Sequence, residues 1–416
     1  MKTFLANYKS SLILLGAIII GGAVGVFMGP EAVIFKPVGD LFLNLLFMTL
    51  VPLVFFSVTS AISNMGEMKR LGKILGNIVL VFTVTAIISG IIGIIGVLIV
   101  NPTKGLDTST FAGLMANAEA VDHEKVGILQ QIVNTVTVTD FKDLLSKSNM
   151  LQLIIFSILV GVATAMAGEK AKPIAKFVEA GSAVMMKIVD LIMNLAPIGL
   201  GCYFASVIGE LGPQILSGYA RAFILYLILT AVLYFGLFTV YAYMSGGKDG
   251  IKIFWKHAIA PTVTALATCS SAASIPVNLD ASKKMGVPED IAETVIPLGA
   301  NIHKDGSVIG GVLKVTFLFG LFGRDMTSIS AIFGILAVSF LVGAVMGAIP
   351  GGGMMGEMLI LSVYGFSPEV LPIIAVISTI IDAPATVLNS TGNTVCSMMV
   401  ARLVEGKDWL KGHLAK

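Results

Sequence analysis

Long apolar runs free of charge recur along the first part of the chain, at Ser10 to Pro30, Leu41 to Gly66, Ile74 to Thr103, Ser148 to Gly168, Leu191 to Gly209 and Ala222 to Gly247. A helix needs roughly 20 apolar residues to cross the hydrocarbon layer, so each run predicts one transmembrane helix. Several are long enough to tilt. Between the third and fourth lies the one long polar stretch, Lys104 to Lys147, with acidic residues at Asp107, Glu119, Asp122, Glu124, Asp140 and Asp143. Its apolar patches predict partial helix in an ordered extracellular excursion.

After Lys256 the pattern changes. His257 to Leu279 is apolar enough to enter the membrane, yet its centre reads ATCSSAASIP, small hydroxylated residues closed by Pro276. A re-entrant hairpin of two short helices fits better than a simple span, because irregular backbone at membrane depth is tolerated where it lines a cavity. Lys283 and Lys284 then return to the side that the segment left. The next span begins near Pro288 and is broken at Ala300 to Ser307, ANIHKDGS. The plan then repeats. Met326 to Gly356 carries the tip GAIPGGG (Gly347 to Gly353), and the span after it holds a polar stretch, Ile380 to Ser397, that predicts a second break. Pro276 precedes Asp305 by 29 residues and Pro350 precedes Asp382 by 32. With one hairpin opening inward and the other outward, the two halves form an inverted repeat whose discontinuous helices meet near the midplane. That arrangement points to a secondary-transporter binding site. The predicted class is an all-α polytopic membrane protein with eight transmembrane helices and two re-entrant helical hairpins.

Composition agrees with the pattern: 56% of residues are hydrophobic, 12% are charged, and the mean hydropathy is +0.93. A soluble domain carries about a quarter charged residues. The formal net charge of +2 gives no global basic field for nucleic acid. Lysine and arginine are retained in cytoplasmic loops. Lys2 and Lys9, then Lys69, Arg70 and Lys73, Lys170, Lys172 and Lys176, and Lys248, Lys252 and Lys256 all fall on one side. Arg402, Lys407, Lys411 and Lys416 close the chain there too, so both termini are expected in the cytoplasm and the protein in the cell (inner) membrane. The first apolar run follows two lysines as a signal peptide would, but without a small-x-small cleavage site it reads as span one. Cys202, Cys269 and Cys396 are far apart and in apolar context, which predicts buried thiols and no metal cluster.

Asp382 and Asp305 are the chemistry in this pattern. An aspartate inside a span costs roughly 2.5–3.5 kcal/mol on insertion scales, so it needs a partner or a function. A structural salt bridge from Asp382 to Lys304 is the plain alternative, and Asp305 has the same lysine beside it. The triple glycine reads as a gate or as simple helix packing, and no phosphate-binding Gly-Lys-Ser/Thr follows it. The serines of the first hairpin line a site or merely satisfy backbone carbonyls.

Taken together, CSSAASIP, PLGANIHKDGS, GAIPGGG and NSTGN resemble the core of the glutamate transporter homologue family, the dicarboxylate/amino acid:cation symporters. LFLNLLFMTLVPLVFFS, the span ending LIVNP and NLAPIG resemble its second, third and fifth spans, so the likeness covers nearly the whole chain. The resemblance implies an elevator-type transporter, a homotrimer with no cofactor and no enzymatic activity. Residues 1–70 would hold scaffold spans one and two, 71–103 span three of the moving domain, 104–213 the excursion and scaffold spans four and five, and 214–416 the transport core. Asp382 would hold a substrate ammonium, with Thr386 and Asn389 at the amino and carboxylate groups. Ser270 and Ser271 would close around the carboxylate from the first hairpin, and Ile349, Gly351 and Gly353 from the second. Thr85, His303, Lys304, Asp305, Ser307, Asn389 and Asn393 would belong to cation sites.

The departures from the family pattern bear on the cargo. Acidic-substrate members place an arginine three residues after the amine-binding aspartate, where its planar fork grips a carboxylate. Here that residue is Ala385, and Cys269 stands where some members have an arginine in the first hairpin. The expectation is a prokaryotic carrier of a small neutral amino acid. The alternative is an acidic amino acid or dicarboxylate carrier in which the Lys304 amine replaces the arginine. Asn393 stands for a cation carboxylate, His303 and Ala86 for an asparagine and a serine, and Lys304 for a methionine. Hard cations favour anionic and carbonyl oxygens, so Na+ coupling with fewer ions per cycle competes with proton coupling through His303 or Asp305. A channel would need a continuous polar pore, whereas the polarity lies at one level. An intramembrane aspartyl protease is disfavoured because neither aspartate has a Gly-x-Gly-Asp context.

Overall fold

The computed structural model describes residues 2–63, 69–106, 133, 137–146, 149–211, 214–346, 352–367 and 370–410, and the regular elements among them are all helical. Among these residues, Gly16–Phe42, Lys73–Ile99, Ile215–His257 and Leu371–Glu405 are long and apolar enough to cross a membrane. The 104–147 excursion falls mostly outside the described residues, as does most of the second hairpin tip.

One set of helices packs mainly among itself. It comprises α1 (Lys2–Met28), α2 (Lys36–Ser63), α4 (Met150–Ala167), α5 (Lys172–Met193) and α6 (Ala196–Leu211). Helix α1 runs along α6, and α2 lies against α4, α5 and α6. Glycine brings the α1 and α6 backbones together. A Cβ at Gly21 would sit 2.2 Å from the Gly201 carbonyl oxygen, and one at Gly25 2.5 Å from that of Ala205. Small residues are how membrane helices obtain close contact when lipid offers no hydrophobic incentive to associate. Helix α5 departs from the sequence reading, which treats Lys170 to Lys176 as a connection leading to span five. Charges recur along it at Lys172, Lys176, Glu179, Lys187 and Asp190, while Val178, Gly181 and Met185 recur on one buried or half-buried side and Gly181 lies against the Phe56 ring.

The second set comprises α3 (Lys69–Ile99), α7 (Gln214–Ala231), α8 (Phe238–His257), α9 (Ile259–Thr268), α10 (Ile275–Lys284), α11 (Glu289–Ile302), α12 (Asp305–Leu321), α13 (Ile329–Val345), α14 (Gly352–Tyr364) and α15 (Leu371–Glu405). A π-helical segment, Val232–Leu237, joins α7 to α8. Helix α8 bends at Gly246 and Gly247, where the Ser245 carbonyl accepts a 2.8 Å bond from the Trp409 indole. Helix α15 is the central post, touching α3, α7 to α12 and α14.

Helices α9 and α10 pack together where the sequence predicts the first hairpin, and α13 and α14 where it predicts the second. Cys269 ends α9 in the left-handed region at φ 46°, so the chain reverses at the start of the hydroxylated tip. The break between α11 and α12 falls at His303 and Lys304. The second predicted break is absent: α15 runs uninterrupted from Leu371 through Asp382 and Pro384 to Glu405. Many of its polar groups are satisfied without opening the helix. Thr394 donates to the Thr391 carbonyl and Ser397 to that of Thr394, each at 2.7 Å. Asn278 of α10 donates to the Ser390 carbonyl at 2.9 Å and to its hydroxyl at 2.8 Å.

Replacing Gly21 with leucine is expected to drive α1 off α6, at about 3 kcal/mol or more. A Gly16→Leu control, where nothing lies within 4 Å of the added Cβ, should be tolerated. Size-exclusion profiles and thermal unfolding of the detergent-purified variants would separate the two.

Candidate functional site

The interruption between α11 and α12 leaves the first N–H groups of α12 without partners in their own helix, and α15 supplies them. The Asn389 Oδ1 accepts from the Gly306 and Ser307 amides at 2.9 and 3.2 Å, while its Nδ2 donates to the Ser307 hydroxyl at 3.0 Å. From α7, Tyr226 donates to the Gly306 carbonyl at 2.8 Å. The helices touch here because position 306 is glycine: a Cβ would lie 2.5 Å from the Ala385 carbonyl oxygen. Asn389 and Ser307 were expected at the substrate and the cation, and the structure places both side chains in this helix cap. Ala385 is buried at the same crossing.

Two side chains leave the break in different directions. The His303 ring turns toward α3 and α15 and is almost fully buried. Its Nε2 lies 2.9 Å from the Thr85 hydroxyl and 3.3 Å from Asp305 Oδ1, and its Nδ1 lies 2.9 Å from Asn393 Oδ1. The Cys396 sulfur is 3.6 Å from Nε2, and the Phe82 ring lies against the imidazole with centroids 4.6 Å apart and planes tilted by 31°. The Thr85 hydroxyl also lies within donating distance of the Phe82 carbonyl, at 3.2 Å. Asp305 opens α12, where the helix dipole favours an anion. Both of its buried carboxylate oxygens lack a hydrogen bond among the described residues, as does Asn393 Nδ2.

The Lys304 side chain goes the other way. It is buried, and its ammonium donates to the Ser271 hydroxyl at the first hairpin tip at 3.0 Å. It also interacts with the Asp382 carboxylate on α15, and Thr386, one turn further along, hydrogen-bonds that same carboxylate. Asp382 is exposed although Ile381 and Ala385 on either side are buried. The resemblance puts Lys304 among the cation residues, and in the structure its ammonium lies with Ser271, Asp382 and Thr386 in a second cluster.

Ser270 shapes the tip. Its carbonyl accepts from the Ser274 amide and hydroxyl at 3.2 and 2.9 Å, and its hydroxyl accepts from the Ala273 amide at 3.2 Å. Gly353 is half-buried beside Met346 and Ser378, whereas Ile349 and Gly351 lie outside the described residues. Two charged residues were overlooked. Lys314 of α12 and Glu357 of α14 are buried and 3.6 Å apart, and Ser378 of α15 bridges them, accepting from Lys314 at 2.8 Å and donating to Glu357. The signal was available in the apolar runs GVLKVTF and MMGEMLI, where a lone charge calls for a partner.

Comparison with known proteins now bears on this geometry. The sequence profile of the Sodium:dicarboxylate symporter family matches residues 11–403. The proton/sodium-glutamate symport protein of Bacillus caldotenax is 29% identical over 399 residues, covering 92% of each chain. The proton/glutamate-aspartate symporter of Bacillus subtilis is 25% identical, covering 95% of this chain and 96% of that protein. The C4-dicarboxylate transport protein of Bacillus subtilis is 29% identical, covering 93% and 91%.

Asn389→Ala removes the acceptor of two helix-terminal amides, so a loss of about 1–2 kcal/mol is expected. Thermal unfolding in detergent would measure it. No change would mean that α12 is capped by something else.

Proposed function

The chain belongs to the sodium:dicarboxylate symporter family, which consists of cation-coupled membrane transporters and not enzymes, and on that premise we propose that it carries a small neutral amino acid. The observation that supports this cargo is the pairing of one cation and one anion, Lys304 and Asp382, in a single cluster with Ser271 and Thr386. A zwitterion matches that pair charge for charge, with its ammonium on Asp382 and its carboxylate between Lys304 and Ser271. The site then stays neutral in a medium where unmatched charge is costly. A dicarboxylate would set two carboxylates against one ammonium with Asp382 still beside them, and Ala385 offers no guanidinium.

The acidic reading retains one supporting observation, the Lys304 ammonium itself, and some relatives are named for glutamate and C4-dicarboxylate transport. Na+ is the coupling cation we favour, with fewer ions per cycle than the family pattern implies, because Lys304 brings a tethered positive charge. The two helix sets fit an elevator. In this reading α1, α2 and α4 to α6 form a trimeric scaffold, and α3 and α7 to α15 move with the substrate across the cell membrane. Both termini are cytoplasmic.

Thermal stabilisation of the purified protein across amino acids and dicarboxylates tests the cargo. A neutral amino acid at 100 times its Kd should stabilise by about 2.7 kcal/mol, and aspartate, glutamate and C4-dicarboxylates should not. Stabilisation by dicarboxylates alone would select the acidic reading. Lys304→Met should abolish the ligand-induced shift. In proteoliposomes, uptake should follow an imposed Na+ gradient; uptake driven only by a proton gradient would replace Na+ with H+.

A further inference from the structure

The family implies a cation among the residues that surround His303, and the geometry there tests the fit. Four groups from three helices converge on one small volume. They are the Thr85 hydroxyl from α3, the Asn393 amide oxygen and Cys396 thiol from α15, and the Asp305 carboxylate from α12. The three oxygen-bearing groups among them, one a carboxylate, are donors of the kind a hard cation takes. The volume they face is already full. The imidazole stands between them, with one nitrogen against Thr85 and Asp305 and the other against Asn393. Phe82 covers the ring face, and a Cβ at Gly392 would come within 3.4 Å of the ring carbon Cε1. An ion with its ligand shell does not fit in the same space. A ring carbon and nitrogen edge is also a poor neighbour for a hard cation.

We propose that His303 is a tethered plug: its side chain permanently occupies the cation position between Thr85, Asp305 and Asn393, so the carrier takes up no Na+ there. Two further observations support the plug. Asp305 has no hydrogen-bond partner among the described residues, so the nearby ring nitrogen is what answers its buried charge. Asn389 and Ser307, also expected at a cation, are engaged in capping α12. The inference deepens the reading of the chain as a carrier with fewer Na+ per cycle and rests on that reading for its consequence in transport. The plug itself is a statement about binding.

The plug predicts a gain of function. His303→Ala and His303→Asn empty the position and leave its oxygens in place. Both variants should acquire Na+-dependent stabilisation in NaCl relative to choline chloride, a Tm rise of about 2 °C or more beyond any response of the wild type. Equal responses in wild type and variants would overturn the proposal, as would a wild-type response that the variants lose. Thr85→Val keeps the test open if both variants unfold. With a plug in place, this substitution should leave the Na+ dependence of wild-type uptake or stability unchanged, whereas a tenfold or greater fall in apparent Na+ affinity would make Thr85 an ion ligand and refute the plug. Absence of amino acid uptake under any gradient would count against the carrier reading alone, since the Na+ stabilisation comparison needs no substrate.

Discussion

A polar group in hydrocarbon has no water to turn to, and the central helix α15 carries a long succession of them. Its own turns and the helices around it answer most of that demand. Hydroxyls fold back onto carbonyls of their own helix, Asn278 reaches Ser390 from the first hairpin, and Asn389 returns the favour to α12. Because each answer comes from a different element, the helices around α15 are held by specific bonds as well as by packing. Non-helical backbone is tolerated at His303 and Lys304 for the same reason: both neighbours of the break are enclosed by protein.

The break separates two electrostatic problems. On one side the Asp305 carboxylate faces an imidazole in a closed pocket. On the other the Asp382 carboxylate faces an ammonium next to exposed surface. Adjacent residues on one extended stretch, His303 and Lys304, serve the two sides because their side chains leave it in opposite directions. A helix would have turned them by only about 100° from each other, so the irregular backbone is what lets a single short segment address both.

Much of this was legible in the sequence. Run lengths located most of the long helices, the hydroxylated stretch around Cys269 located the turn between α9 and α10, and ANIHKDGS located the true break. The second break was misread because polar composition alone does not open a helix when threonine and serine can bond back to it, as Thr394 and Ser397 do. Helix α5 was hidden because Lys170 to Lys176 read as a connection, and Glu179, Lys187 and Asp190 interrupt the apolar run that follows. The cap formed by Asn389 could not be foreseen, since its partners lie more than 80 residues away. Lys314 and Glu357 were visible as isolated charges, but nothing in their spacing declared them a pair.

That pair has a mechanical consequence. Helix α14 follows the second hairpin tip and is pinned by Glu357 to Lys314 and Ser378, deep among apolar side chains. Pulling it away would strand two ions in a medium that cannot hydrate them, at roughly 3–5 kcal/mol. Among the described residues, the neighbouring arm α13 has no such ion pair. The two arms of this pair are therefore held unequally: α14 is locked to α12 and α15 by buried charge, and α13 rests on apolar packing.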